Sequence, residues 1–197
     1  MNPAPNSRLY LTIGAVWLLA AIGLSASGRV ARLHPPAPQL VLAGLTILLI
    51  GSALVFDRFR RWLLALDVRT VLALHLTRFV GFYFLLLYRR GELPYAFAVP
   101  GGWGDILVAS LAFLILLRVP DPENRPPLLV GWNLLGFIDL LMVVGTAARL
   151  AMADPGSMHA LLRLPLSLLP TFLVPILIAS HVLLFWRIRG VNQTSPA

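Results

Sequence analysis

Apolar residues gather in six long runs, each separated from the next by a short stretch of Arg, Pro, Gly or Asp. A helix needs about 20 mainly apolar residues to cross a bilayer. The runs predict spanning helices over about 9–25, 39–56, 70–88, 103–117, 128–148 and 164–186. The fourth is the shortest, and its helix has room to begin inside the preceding loop. Breaker residues mark the connections: His34-Pro35-Pro36, Pro120-Asp121-Pro122 and Asp154-Pro155-Gly156. Between the second and third runs, Asp57 to Asp67 alternates Arg with Phe, Trp and Leu, which predicts a short helix lying in the membrane interface. The expected fold is all-α: one integral membrane bundle of about six transmembrane helices over 1–190, with a polar tail at 191–197. The first run resembles a signal peptide, with Arg8 before it and Ser25-Ala26-Ser27 at its end. Its apolar length exceeds the roughly 7–15 residues of a signal core, so a retained span is expected.

Composition agrees and removes whole classes of chemistry. The chain is 58% hydrophobic and 12% charged, against roughly a quarter charged in soluble domains. Without Cys there are no disulfides, thiolate nucleophiles, Fe–S clusters or Cys-zinc sites. Without Lys there is no Walker A phosphate loop and no Schiff base. The net charge of +8 comes from Arg placed at the ends of apolar runs. A nucleic-acid binder concentrates its cations on one soluble face instead. The expected partner is therefore the lipid bilayer and not nucleic acid, with a homo-oligomer or a partner membrane subunit left open. Nine Arg fall on the side of the termini and six on the other. That bias predicts that both termini are cytoplasmic.

Ionisable groups inside a span are costly unless paired or hydrated. Four stand out: His75 and Arg78 on the third span, Asp139 on the fifth and His181 on the sixth. The third and fifth spans run the same way, and Arg78 and Asp139 lie roughly 12 and 16 Å into them. Similar depth and opposite charge make an ion pair plausible, serving either helix register or proton and ion movement. Trp132, Gly136, Asp139 and Val143 share one stripe, with Gly136 allowing close approach of a neighbour and Asn133 at its border. His75 and His181 both lie roughly 8–9 Å inside the same membrane face. They are candidates for polar packing, a proton relay, or axial ligation of a non-covalent haem b or a metal. No cofactor is otherwise expected.

Two further stretches carry expectations. Pro165, Pro170 and Pro175 punctuate the sixth span, where Ser167 and Thr171 are placed to satisfy carbonyls that proline frees. Gly91 to Asp105 is apolar but broken by Pro94, Pro100 and several glycines, predicting a re-entrant or tightly packed outer loop. Glu92 and Asp105 are its candidate binding residues, with Asp105 in the first turn of the fourth helix. On that placement Asp105 and Asp139 differ in depth by much of the membrane, which argues against a paired-aspartate protease. No His-Glu-x-x-His or strand-linked Gly-x-Gly-x-x-Gly occurs.

Several of these motifs together resemble a family of small bacterial multi-pass inner-membrane proteins described only as hypothetical. They are Trp62-Leu63-Leu64-Ala65-Leu66-Asp67, Leu74-His75-x-x-Arg78-x-x-Gly81, Gly91-x-Leu93-Pro94-x-x-Phe97-Ala98-x-Pro100-x-Gly102-x-Gly104-Asp105, Trp132-Asn133-x-x-Gly136-x-x-Asp139, and Leu169-Pro170-x-x-Leu173-Val174-Pro175 with His181. The resemblance covers about two-thirds of the chain and implies a topology without a mechanism. Three functional readings follow: transport or proton relay through the polar residues, a haem or metal protein using the histidines, and a non-catalytic scaffold or accessory subunit.

Overall fold

In a computed structural model the described residues are 7–193, with side chains to 188. Among them no strand occurs, and six helical segments are long and apolar enough to cross a membrane. The chain is an all-α, multi-pass membrane protein. The segments are α1 (Ser7–Ala26), α2 (Ala37–Val55), a third span Val68–Arg89, α6 (Tyr95–Arg118), α7 (Pro126–Ala153) and a sixth span Leu169–Ile188. The third span is composite: α4 (Val68–Leu74), a 3-10 segment His75–Val80, and α5 (Gly81–Arg89). The sixth opens with a π-helical turn, Leu169–Leu173, and continues as α8 (Val174–Gln193). The short helix expected between the second and third spans is α3 (Asp57–Leu64). Helix α8 runs through residues 191–193 of the expected polar tail, and 194–197 lie outside the described residues.

Backbone contacts gather into two compact units: residues up to 65 with 159–179, and 66–158 with those from 180 on. In the first, α1 ends where Gly28, at φ +73°, sends its N–H to the Ser25 carbonyl while Arg29 bonds Leu24. This left-handed cap suits glycine, whose missing Cβ removes the steric penalty. The spanning helix expected from residue 164 starts at Leu169, leaving Pro165 outside it. Pro170 falls in the first turn, where a missing donor costs little. Pro175 is interior, and its ring leaves the carbonyl of Thr171 without a backbone donor. The Trp17 indole N–H fills that gap from α1 at 2.9 Å, its ring edge-on to Phe172 with centroids 5.0 Å apart. Thr171 Oγ1 donates in turn to the Ser167 carbonyl at 2.7 Å, an oxygen that no proline frees, and Ser167 Oγ is buried without a partner among the described residues, so neither hydroxyl takes the role expected of it.

The second unit holds a core of Val68, Val71, Leu72, Val108, Ala112, Ile115, Leu129, Trp132 and Leu184. One end is closed by arginines reaching backbone oxygens. Arg69 donates to the carbonyls of Leu116 at 2.7 Å, Val119 at 2.9 Å and Pro120 at 3.2 Å, capping the C-terminus of α6. Arg187 reaches the Leu66 carbonyl and pairs with Glu123.

The stretch preceding the fourth span departs most from the sequence reading. Only residues 91–94 form a turn. Gly91, at φ +73°, bonds Tyr88 while Glu92 bonds Leu87, a Schellman close to α5. Pro94 then precedes a helix that begins at Tyr95, eight residues before the expected start. Pro100 is the sixth residue of α6 and forfeits a single bond, to the Ala96 carbonyl. The glycines that suggest a loop are packing devices. A Cβ on Gly81 would overlap the carbonyl oxygen of Gly102, and one on Gly102 would meet the Gly81 oxygen at 2.9 Å, so α5 and α6 touch backbone to backbone.

Candidate functional site

The 3-10 segment sets up the site. With three residues per turn, side chains at i and i+3 eclipse, so His75 and Arg78 leave the third span in one direction. Both are buried, Arg78 at 1% exposure. Arg78 Nε donates to Asp105 Oδ1 on α6 at 2.6 Å, Nη1 donates to the Gly136 carbonyl on α7 at 2.9 Å, and Nη2 pairs with Asp139 Oδ2 on α7. One guanidinium thus binds two carboxylates and a backbone oxygen from two helices.

Each member sits at the middle of its element. Arg78 is the eleventh of 22 residues in the third span. Asp105 is the eleventh of 24 in α6, and Asp139 the fourteenth of 28 in α7. At 1.5 Å per residue each has roughly 15–20 Å of helix on either side, which places the cluster at the level of the membrane midplane. The side chain of Asp139 is 20% exposed and that of Asp105 is 6%. Gly104 packs so closely under the Asp139 carboxylate that a Cβ there would overlap it.

The histidines form an adjoining layer. Their ring centroids are 4.5 Å apart. His75 Nε2 lies 3.0 Å from Ser180 Oγ, and Trp132 stands edge-on to the His75 ring at 4.8 Å. His181 Nδ1 lies 2.7 Å from Asn133 Oδ1, while Asn133 Nδ2 donates to the His181 carbonyl at 3.1 Å. His75 Nδ1 and His181 Nε2 are buried without a hydrogen-bond partner among the described residues. A Cβ on Gly136 would meet the His181 ring at 2.9 Å, so this glycine joins the two layers by letting the imidazole lie on the α7 backbone. The rings touch, and a porphyrin between them would have to push them apart. No group of three or more His, Cys, Asp or Glu able to hold a metal occurs among the described residues.

Residues 35–189 match the model of a family described as a domain of unknown function, DUF8737. The chain belongs to the DUF8737 family. No curated protein and no solved structure matches it. Every side chain of the charge cluster and the histidine layer in this DUF8737 protein lies inside the matched region.

Of the residues singled out by sequence, the fold brings together His75, Arg78, Asn133, Asp139, His181 and, against expectation, Asp105. Asp105 is a mid-helix residue and not an outer-loop one, because α6 starts at Tyr95. Glu92 stays on the exposed turn, about 15 Å of helix rise from Asp105. The depth argument against a paired-aspartate site also falls, since both carboxylates meet Arg78. The guanidinium that bridges them nonetheless removes the direct carboxyl–carboxyl contact on which such a dyad depends. Sequence reading passes over Ser180 and Gly104. Gly104 has a legible signal once α6 is extended, being the neighbour of a mid-membrane carboxylate.

Proposed function

We propose that this DUF8737 protein is a proton-relay transporter of a bacterial inner membrane, with both termini cytoplasmic and no resident cofactor. The observation that carries the proposal is the stoichiometry of the cluster: one arginine between two carboxyl groups at the midpoints of three helices. An unbalanced charge in the bilayer centre costs at least several kcal/mol. The cluster is balanced when it holds one exchangeable proton, the minimum requirement for a relay. Asp139, with the more exposed edge, is the exchange point. His75 and His181 extend the path, each with one ring nitrogen held by Ser180 or Asn133 and the other unpartnered. From the level of Asp139 to that of Asn133 is about 9 Å along α7. Substrate sites of secondary transporters commonly lie near the midplane as well. The nine-to-six arginine bias supports the stated orientation.

The same contacts hold three helices in register, so the decisive experiment measures movement and not folding. Protein in potassium-loaded liposomes is given a valinomycin diffusion potential, and internal pH is followed with a trapped dye. The wild type is expected to acidify the lumen at least about tenfold faster than Asp139→Asn, whose fold should persist because Arg78 keeps one carboxylate. Equal rates for the two proteins, or a wild type no faster than empty liposomes, would refute the relay.

A further inference from the structure

The first unit carries a feature that the relay does not use. Helix α3 reads Asp57-Arg58-Phe59-Arg60-Arg61-Trp62-Leu63-Leu64 and has no buried residue. Its aromatic side is docked: the Tyr10 ring of α1 lies 5.1 Å from Phe59 and 4.9 Å from Trp62, and Phe59 stacks on Trp62 at 5.8 Å. This three-ring knot ties α3 to the first turns of α1. Tyr and Trp concentrate at the headgroup level of membranes, where one edge is apolar and the other wet. The cations beside the knot are unequally committed. Arg60 pairs with Asp57 at 2.6 Å. Arg58, Arg61 and Arg8 are exposed and make no ion pair among the described residues. Arg8 lies in the first turn of α1, where the helix dipole is already positive. Its charge therefore adds to that end of the helix, favouring an anion there.

The geometry points to an anionic phospholipid headgroup as the occupant of this corner, its phosphate held by Arg58 and Arg61 with Arg8 alongside. The three arginines supply fork-shaped donors matched to a phosphodiester. The aromatic knot favours a position at the depth where headgroup phosphates lie, with the acyl chains descending beside α1. A water-soluble anion would gain the same charge contacts but none of this alignment with the bilayer. The site is independent of the relay and lies in a different unit.

The test uses the full chain in nanodiscs of phosphatidylcholine, titrated with phosphatidylglycerol, with the unfolding midpoint as readout. The wild type is expected to gain stability in a saturable way. Arg58→Gln with Arg61→Gln should match it in pure phosphatidylcholine yet need about thirtyfold more phosphatidylglycerol, from about 1 kcal/mol per surface arginine. The charge-matched control Arg89→Gln with Arg90→Gln removes two exposed arginines of the other unit and should respond as the wild type does. Arg58→Lys with Arg61→Lys should recover part of the affinity. Equal responses of the 58/61 and 89/90 glutamine variants would overturn the site in favour of general surface charge. Stabilisation by inorganic phosphate equal to that by phosphatidylglycerol would overturn the assignment to lipid.

Discussion

Replacing Arg78 should be far more damaging than replacing either of its carboxylates, and the order of effects tests the cluster as a unit. Arg78→Met removes the common partner of Asp105, Asp139 and the Gly136 carbonyl. Two carboxyl groups are then left facing each other in an apolar interior. Breaking a buried pair from one side costs about 3–5 kcal/mol, a large part of the stability of a protein this size. Asp139→Asn leaves Arg78 with Asp105, a one-to-one pair, and trades one charge-assisted bond for a neutral one, costing about 1 kcal/mol. Asp105→Asn falls between, near about 2 kcal/mol, because its side chain is 6% exposed against 20% for Asp139 and has less access to alternative solvation. Combining Arg78→Met with Asp105→Asn and Asp139→Asn removes every charge together. The triple variant should return to within about 1–2 kcal/mol of wild type, since neutral replacements of buried ion clusters are often tolerated. The assay is reversible unfolding in mixed micelles followed by far-UV circular dichroism. Equal losses for Arg78→Met and Asp139→Asn would refute the shared-arginine argument. So would a triple variant whose loss equals the sum of the singles, because contacting groups should couple and independent ones add.

Two further outcomes follow from single contacts. Gly104→Ala places a Cβ inside the position of the Asp139 carboxylate, so it should cost about 1–3 kcal/mol as an overpacked site and slow dye acidification in liposomes; stability and flux unchanged from wild type would show that the carboxylate has room to move. Trp17→Phe orphans the Thr171 carbonyl that Pro175 leaves bare and should cost about 1–3 kcal/mol, a penalty expected to shrink in a Pro175→Ala background that restores the backbone donor; an undiminished penalty there would point to ring packing on Phe172 instead.

The number and type of elements were legible because each span is an uninterrupted apolar run of sufficient length, and little else satisfies backbone groups in lipid. The ends were less legible, for reasons traceable to individual residues. Pro94, Pro100 and four glycines between 91 and 104 carry local signals for a loop. Gly91 and Pro94 do lie in the turn, but residues 95–104 form helix because the missing donor of Pro100 falls in the second turn and because close neighbours fill the space that Gly101, Gly102 and Gly104 leave. Local propensity was overruled by packing between helices, which no single stretch of sequence displays. At the sixth span the reverse happened: three prolines suggest one kinked helix from residue 164, yet the spanning segment begins at Leu169, leaving only Pro175 interior.

The same error at α6 hid half of the site. Depth counting paired Arg78 with Asp139 because the starts of the third and fifth spans were read within about two residues. Asp105 was miscounted by eight, which moved it from the midplane to the rim and turned a balanced one-to-one pair into the apparent whole. The difference is chemical and not only positional. A lone pair of opposite charges can be inert glue, whereas one arginine with two carboxyl groups needs a proton to be neutral. Starting α6 at Tyr95 is therefore what makes the cluster a candidate for proton handling. It also gives Gly104 a role, since the Asp139 carboxylate, the proposed exchange point, is seated against the one residue type that leaves it space.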